Sequence, residues 1–285
     1  MTVRRTLPQR TRTLIGAWCF VDHYGPDPVD ASGGMVVPPH PHTGLQTVSW
    51  LFTGEIEHRD SAGHHATVRP GELNLMTAGR GISHSEYSTS GTTTLHGAQL
   101  WLALPDAHRQ VDPTFEHYAP EPVTGDGWTA RVFLGSLLGA TSPVTTYSPL
   151  LGAELTLSGG TTLHLPLDPA YEIGVLVDTG SVAVDGKPLA RDELGYVEPG
   201  RPGIELTATE DTRLLVLGGP PFGERIVMWW NFIGRDHDEV AAYRAQWEWL
   251  LEQGHGDRFA LPEDDPGDAL HAPGLPNARM VRRGP

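Results

Sequence analysis

Two short runs carry the chemistry this chain could perform: His40-Pro41-His42 and, further along, His84-Ser85-Glu86. Each holds a pair spaced i, i+2, and on a β-strand such positions share one face. Two neighbouring strands could therefore aim three imidazoles and one carboxylate at a single point. Three neutral nitrogens with one hard oxygen suit a divalent first-row ion such as Fe, Mn, Co, Ni or Zn. Four protein ligands leave two positions open on an octahedral ion, and a substrate or dioxygen could bind there. The remaining histidines, His58, His64, His65 and His164 among them, have no such paired spacing, and His64-His65 reads as a solvated loop after Ala62-Gly63.

Such a site needs strands on either side, and the chain is rich in them. Leu45–Phe52 is a β-favouring run that ends at Thr53-Gly54. Glu55–Asp60 reads as the returning strand, Pro70-Gly71 as a sharp turn and Leu73–Thr77 as another strand. Gly79-Arg80-Gly81 is a kinked connection into Ile82–Tyr87, and Leu95–Leu104 follows. A second cycle repeats this rhythm, through Thr161–Leu165, Glu172–Asp178, Glu193–Val197, Ile204–Ala208 and Thr212–Leu217. Short strands with turn signals between them predict an all-β chain of two related barrels. The expected division is 1–135 for the first, 136–252 for the second with a terminal helix, and 253–285 for an extended or poorly ordered tail. The helix is announced by Asp236 as N-cap and Glu239 three residues on. Val240, Tyr243, Trp247 and Leu250 follow at helical spacing, and Gly254 stops it. Trp247 and Trp249 read as packing residues.

Composition narrows the function classes. At 285 residues, with 34 Gly, 25 Pro and 39% hydrophobic residues, the chain can hold two turn-rich domains. It has no apolar run of the roughly 18 residues a membrane helix needs. The formal net charge of −15 repels a phosphate backbone, so direct nucleic-acid binding is not expected. The basic residues near the ends (Arg4, Arg5, Arg10, Arg12; Arg279, Arg282, Arg283) read as solvated termini. Cys19 is the single cysteine, which excludes an intrachain disulfide. With no signal-peptide pattern at Met1–Arg12, the expected location is the cytoplasm.

The motifs around the two pairs resemble the pirin family of the cupin superfamily. His40-Pro41-His42-Thr43-Gly44-Leu45-Gln46, His58-Arg59-Asp60-Ser61 and Met76-Thr77-Ala78-Gly79-Arg80-Gly81-Ile82-Ser83-His84-Ser85-Glu86 carry the likeness. Asp22-His23-Tyr24-Gly25-Pro26 resembles the family's D-H-F-G-P, and Gly219–Phe232 resembles the segment before its C-terminal helix. The resemblance implies a bicupin of two stacked jelly-roll-type β-barrels with one C-terminal α-helix. It implies one divalent metal, Fe(II) first with Mn, Co, Ni, Cu or Zn as alternatives, in the first barrel on His40, His42, His84 and Glu86. It further implies either a quercetin 2,3-dioxygenase acting on a flavonol-like aromatic substrate, with Glu86 accepting the substrate proton, or a metal-sensing regulator that binds a partner protein. Gln46 stands where many members carry Glu, and an amide cannot serve as a base. The second barrel, with His164 alone between Leu155 and Leu217, is expected to hold no such metal.

Overall fold

The computed structural model describes residues 1–284. The chain forms two compact units, and neither is one continuous stretch. The first gathers Met1–Val3, Tyr24–His117 and the chain from Gly223 onward; the second gathers Arg4–His23 and Tyr118–Phe222. The C-terminal helix, expected with residues 136–252, thus lies in the first unit.

The first ten strands are β1 (Val3–Leu7), β2 (Trp18–Pro28), β3 (Val36–His42), β4 (Leu45–Thr53), β5 (Ile56–Asp60), β6 (His65–Val68), β7 (Leu73–Thr77), β8 (Ile82–Ser88), β9 (Thr94–Ala103) and β10 (Thr114–Tyr118). In the first unit one sheet runs β3-β8-β5-β6 and the other β9-β4-β7-β10, with the end of β2 beside β9. The pairs β3–β8 and β5–β8, which matter most below, are antiparallel. The kink before β8 is a steric requirement. Gly79 has φ +51°, and a Cβ there would lie 2.0 Å from the Val111 carbonyl oxygen; Gly81 has φ +155°. Only glycine takes such positions without strain.

The second unit contains β11 (Val123–Gly125), β12 (Trp128–Leu134), β13 (Ser136–Leu137), β14 (Ala140–Thr141), β15 (Leu151–Leu157), β16 (Thr162–Pro166), β17 (Glu172–Thr179), β18 (Ser181–Val184), β19 (Lys187–Ala190), β20 (Leu194–Val197), β21 (Gly203–Ala208) and β22 (Thr212–Gly219). Its main sheets run β11-β12-β15-β22-β17-β20 and β16-β21-β18-β19. Strict alternation builds its core: Leu163 and Leu165 on β16, with Ile204, Leu206 and Ala208 on β21, point inward. His164 falls on the other face of β16 and is exposed. Each unit is a two-sheet barrel of jelly-roll type, as the strand rhythm predicts.

A short helix α1 (Val29–Ser32) follows β2, and after β23 (Val227–Trp229) and β24 (Phe232–Gly234) comes the helix α2 (His237–Gln253). Asp236 caps it by accepting the Glu239 N–H, and Gly254 ends it in the left-handed conformation. Glu239 reaches back to the N–H of Arg235, one residue before the cap, at 2.6 Å. Val240, Tyr243, Trp247 and Leu250 are buried, whereas Trp249 is exposed. Two residues span about 200° of helix, so the two tryptophans cannot share a face. The basic N-terminal arm is not simply solvated: Arg5 pairs with Asp22, and Arg12 pairs with Glu172 and stacks on Tyr196. Among the described residues no helix is long and apolar enough to cross a membrane.

Beyond Gly254 the described residues form no further helix, yet they are anchored. The Trp247 indole N–H donates to the Leu270 carbonyl at 2.8 Å, and the Leu270 N–H donates to the Pro39 carbonyl at 2.8 Å. Asp265 accepts hydrogen bonds from Ser85 and Tyr87, the outward residues of β8. The tail therefore lies over the outer face of the strand whose other face carries His84 and Glu86.

Candidate metal centre

β8 sits between β3 and β5, and the register of both pairings sets the site. His40 lies opposite His84, Asp60 is also opposite His84, and His58 is opposite Glu86. The irregularity between Val37 and His40 falls at Pro38-Pro39, which have no N–H to give a ladder. Glu86 is paired with Val37 as a result. On β5 the inward positions are Ile56, His58 and Asp60, while Glu57 and Arg59 are only partly covered. The period-2 alternation that places Leu and Ile inside the second barrel thus places His, Asp and Glu inside the first.

His40, His42 and His84 come together as expected, each buried and each with a ring nitrogen within 4.8 Å of the others. The Nε2 atoms of His42 and His84 are 3.1 Å apart. Metal–nitrogen bonds of about 2.0–2.1 Å put adjacent ligand nitrogens roughly 3 Å apart, so the spacing fits a shared ion. The His40 Nδ1–H donates to the Pro38 carbonyl at 2.9 Å, which leaves its Nε2 lone pair free. Glu86 forms a second, overlapping group with His84 and His58. Ser49 Oγ lies 3.0 Å from Glu86 Oε1 and 3.0 Å from Gln99 Oε1.

Electrostatics favour the ligand form of these histidines. Burial lowers His40 to about 4, against a partial rise from its hydrogen bond to Pro38. Burial also holds His42 and His84 well below the ordinary imidazole value, and neighbouring imidazoles push the same way. Neutral imidazole is the species that coordinates. Burial raises Glu86, with His58 and Ser49 acting against it. Three neutral nitrogens beside a carboxylate of raised proton affinity could hold a divalent ion and accept a proton from a bound hydroxyl.

His58 and Asp60 are the site residues that spacing left out. Read among histidines alone, His58 has no paired spacing; with Asp60 it does form an i, i+2 pair, His-x-Asp, and that is the signal such a reading overlooks. What spacing could not say is that β5 lies against β8. Gln46 is buried and donates to Thr77 Oγ1 at 2.9 Å across the β4–β7 pair. His64 is half-exposed and bonds Asp60.

A family model described as pirin matches residues 1–102, and one described as the pirin C-terminal cupin domain matches residues 152–250. The chain belongs to the pirin family. Among pirin relatives, a "Pirin-like protein" of Caulobacter vibrioides is 36% identical over 274 residues, covering 92% of this chain and 94% of its own. A Pseudomonas aeruginosa protein named "Putative quercetin 2,3-dioxygenase PA1205" is 46% identical over 278 residues, covering 97% of this chain and 86% of its own. A crystal structure of quercetin 2,3-dioxygenase from Acinetobacter baumannii superposes with a TM-score of 0.92 at 41% identity, covering 98% of this chain and 92% of that one. The two barrels described above are thus the two cupin domains of a pirin.

Proposed function

We propose that this pirin is a metal-dependent dioxygenase of the quercetin 2,3-dioxygenase type, with His40, His42, His84 and Glu86 as metal ligands. The observation that carries the reading is the convergence of three buried, neutral imidazoles beside Glu86 on adjacent strands. The names of the Pseudomonas and Acinetobacter relatives support the choice of reaction and of a flavonol-like aromatic substrate. A bound divalent ion, Fe(II) in this reading, would acidify the substrate hydroxyl and hold it for attack by dioxygen. Glu86 is the candidate base, because burial raises its affinity for a proton and Ser49 holds one of its oxygens in place. Gln46 does not compete for that role, since an amide is no base; its NH2 group donates to Thr77. The His42 ring packs edge-on to Trp101 at 5.1 Å, so an apolar wall adjoins the site. A cytoplasmic location belongs to the same reading and is supported by a single cysteine, Cys19, that is buried and forms no disulfide.

Aerobic incubation of iron-, manganese-, cobalt- or nickel-loaded protein with quercetin is the test. Flavonol absorbance is expected to fall with release of carbon monoxide, and His84→Ala is expected to abolish the loss. Inactivity of fully loaded wild-type protein with every one of these metals overturns the enzymatic reading. Unchanged metal content in His42→Ala and Glu86→Ala overturns the ligand assignment.

A further inference from the structure

The two nitrogens of His84 face different groups. Nε2 is turned to His42, and Nδ1 lies 3.3 Å from His58 Nδ1. Two neutral imidazoles that meet through Nδ1 share one proton between those atoms. If His58 supplied it, the ring proton of His84 would sit on Nε2 and point at His42. No lone pair would then be offered to a metal.

What lies behind His58 decides the matter. His58 Nε2 is 3.3 Å from Asp60 Oδ2. Asp60 is buried, and its other oxygen accepts the main-chain N–H groups of Ala62 at 2.9 Å and His64 at 3.1 Å. His64 Nδ1 adds a further contact at 3.0 Å. A carboxylate held this way only accepts hydrogen bonds, so His58 must present Nε2–H to it. Neutral His58 then has a lone pair on Nδ1 and accepts from His84. The ring of Phe115 lies beside both His58 (centroids 4.9 Å, planes 31° apart) and His64 (5.5 Å, 24°) and restrains them. A doubly protonated His58 would reverse the order and, with a metal bound, would set a cation beside the ion's own ligand, so the neutral form is the one compatible with coordination.

We propose that Asp60, acting through His58, fixes His84 as its Nδ1–H tautomer and so delivers the Nε2 lone pair to the metal. His40 reaches the same state in one step, through the Pro38 carbonyl. His84 reaches it in two, through an imidazole and a carboxylate on the adjacent strand β5. Asp60 and His58 are positioning residues in this scheme, and the inference rests on the metal reading above.

Long-range nitrogen–proton correlation NMR of the metal-free protein reads the tautomer directly, with His84 assigned by its absence in His84→Ala. Wild-type His84 is expected as Nδ1–H and His58 as Nε2–H. In Asp60→Asn and in His58→Phe, His84 is expected to shift towards Nε2–H, and Co(II) affinity, from competition with a chromophoric chelator, to fall by about 10–100-fold. His64→Ala, which touches the carboxylate from the solvent side, is expected to change both readouts little. A wild-type His84 in the Nε2–H form overturns the proposal without any variant having to fold. Wild-type affinity in folded Asp60→Asn and His58→Phe overturns it as well. If His84→Ala abolishes Co(II) binding while those two variants do not, the relay fails and the metal reading stands. If His84→Ala binds Co(II) normally, the metal reading itself fails.

Discussion

Burial keeps these histidines in the neutral form that coordination requires, and the same burial has a cost in acid. His40 has a folded value of about 4 against an ordinary 6.5, with His42 and His84 displaced in the same direction. Between those values the unfolded chain binds more protons than the folded one, so stability rises with pH across that window. As pH falls, the metal-free protein loses stability from about pH 6.5 downward, and for His40 the loss is complete below about pH 4. For His40 alone this amounts to about 3 kcal/mol. Glu86, raised by burial, works in the opposite sense but is one group against three. Thermal melts of metal-free protein are expected to show a clear fall in Tm from pH 7.5 to pH 5, and a flat profile would contradict the depressed histidines. At this scale the residue types were legible and their company was not. His40, His42, His84 and Glu86 announce themselves by spacing, whereas His58 joins them only because of a strand neighbour that no local pattern names.

Among the elements, the helix was the most legible, because its start, its apolar stripe and its stop are all local signals. Strand existence was legible for the same reason, but sheet order was not. That β8 lies between β3 and β5, and that a proline-containing irregularity sets Glu86 opposite Val37, depend on long-range pairing. The tail was the least legible, since its Gly, Pro and Asp content describes an extended chain without saying where it docks. Its contacts with β8 give a test. Asp265→Ala removes the acceptor for Ser85 and Tyr87, and Ser85 is fully buried. The cost of an unsatisfied buried hydroxyl predicts a destabilisation of about 1–3 kcal/mol, read as a lower midpoint in urea. A variant as stable as wild type would mean that the tail adds nothing to β8.

For the whole molecule, two barrels were legible from the doubled strand rhythm, and the acidic balance already disfavoured nucleic acid. The interleaving of the two units along the chain was not legible, because composition does not show which segment returns to which barrel. A fragment of residues 1–135 contains all four candidate ligands but lacks β23, β24, α2 and the tail, which belong with the first unit. The buried cluster of Val227, Phe232, Val240, Trp247 and Phe259 is missing from it too. That fragment is expected to show no cooperative melt and no retained metal, and a sharp melt with one bound ion would refute the discontinuous unit. The same interleaving governs the order of events during synthesis. Asp265 follows Ser85 by 180 residues. At about 5–20 residues per second, the outer face of β8 waits on the order of 10–40 s for its cover. The nascent protein must make its entire second barrel before it can finish its first, so ribosome-bound chains should carry an uncovered β8 that only late translation closes.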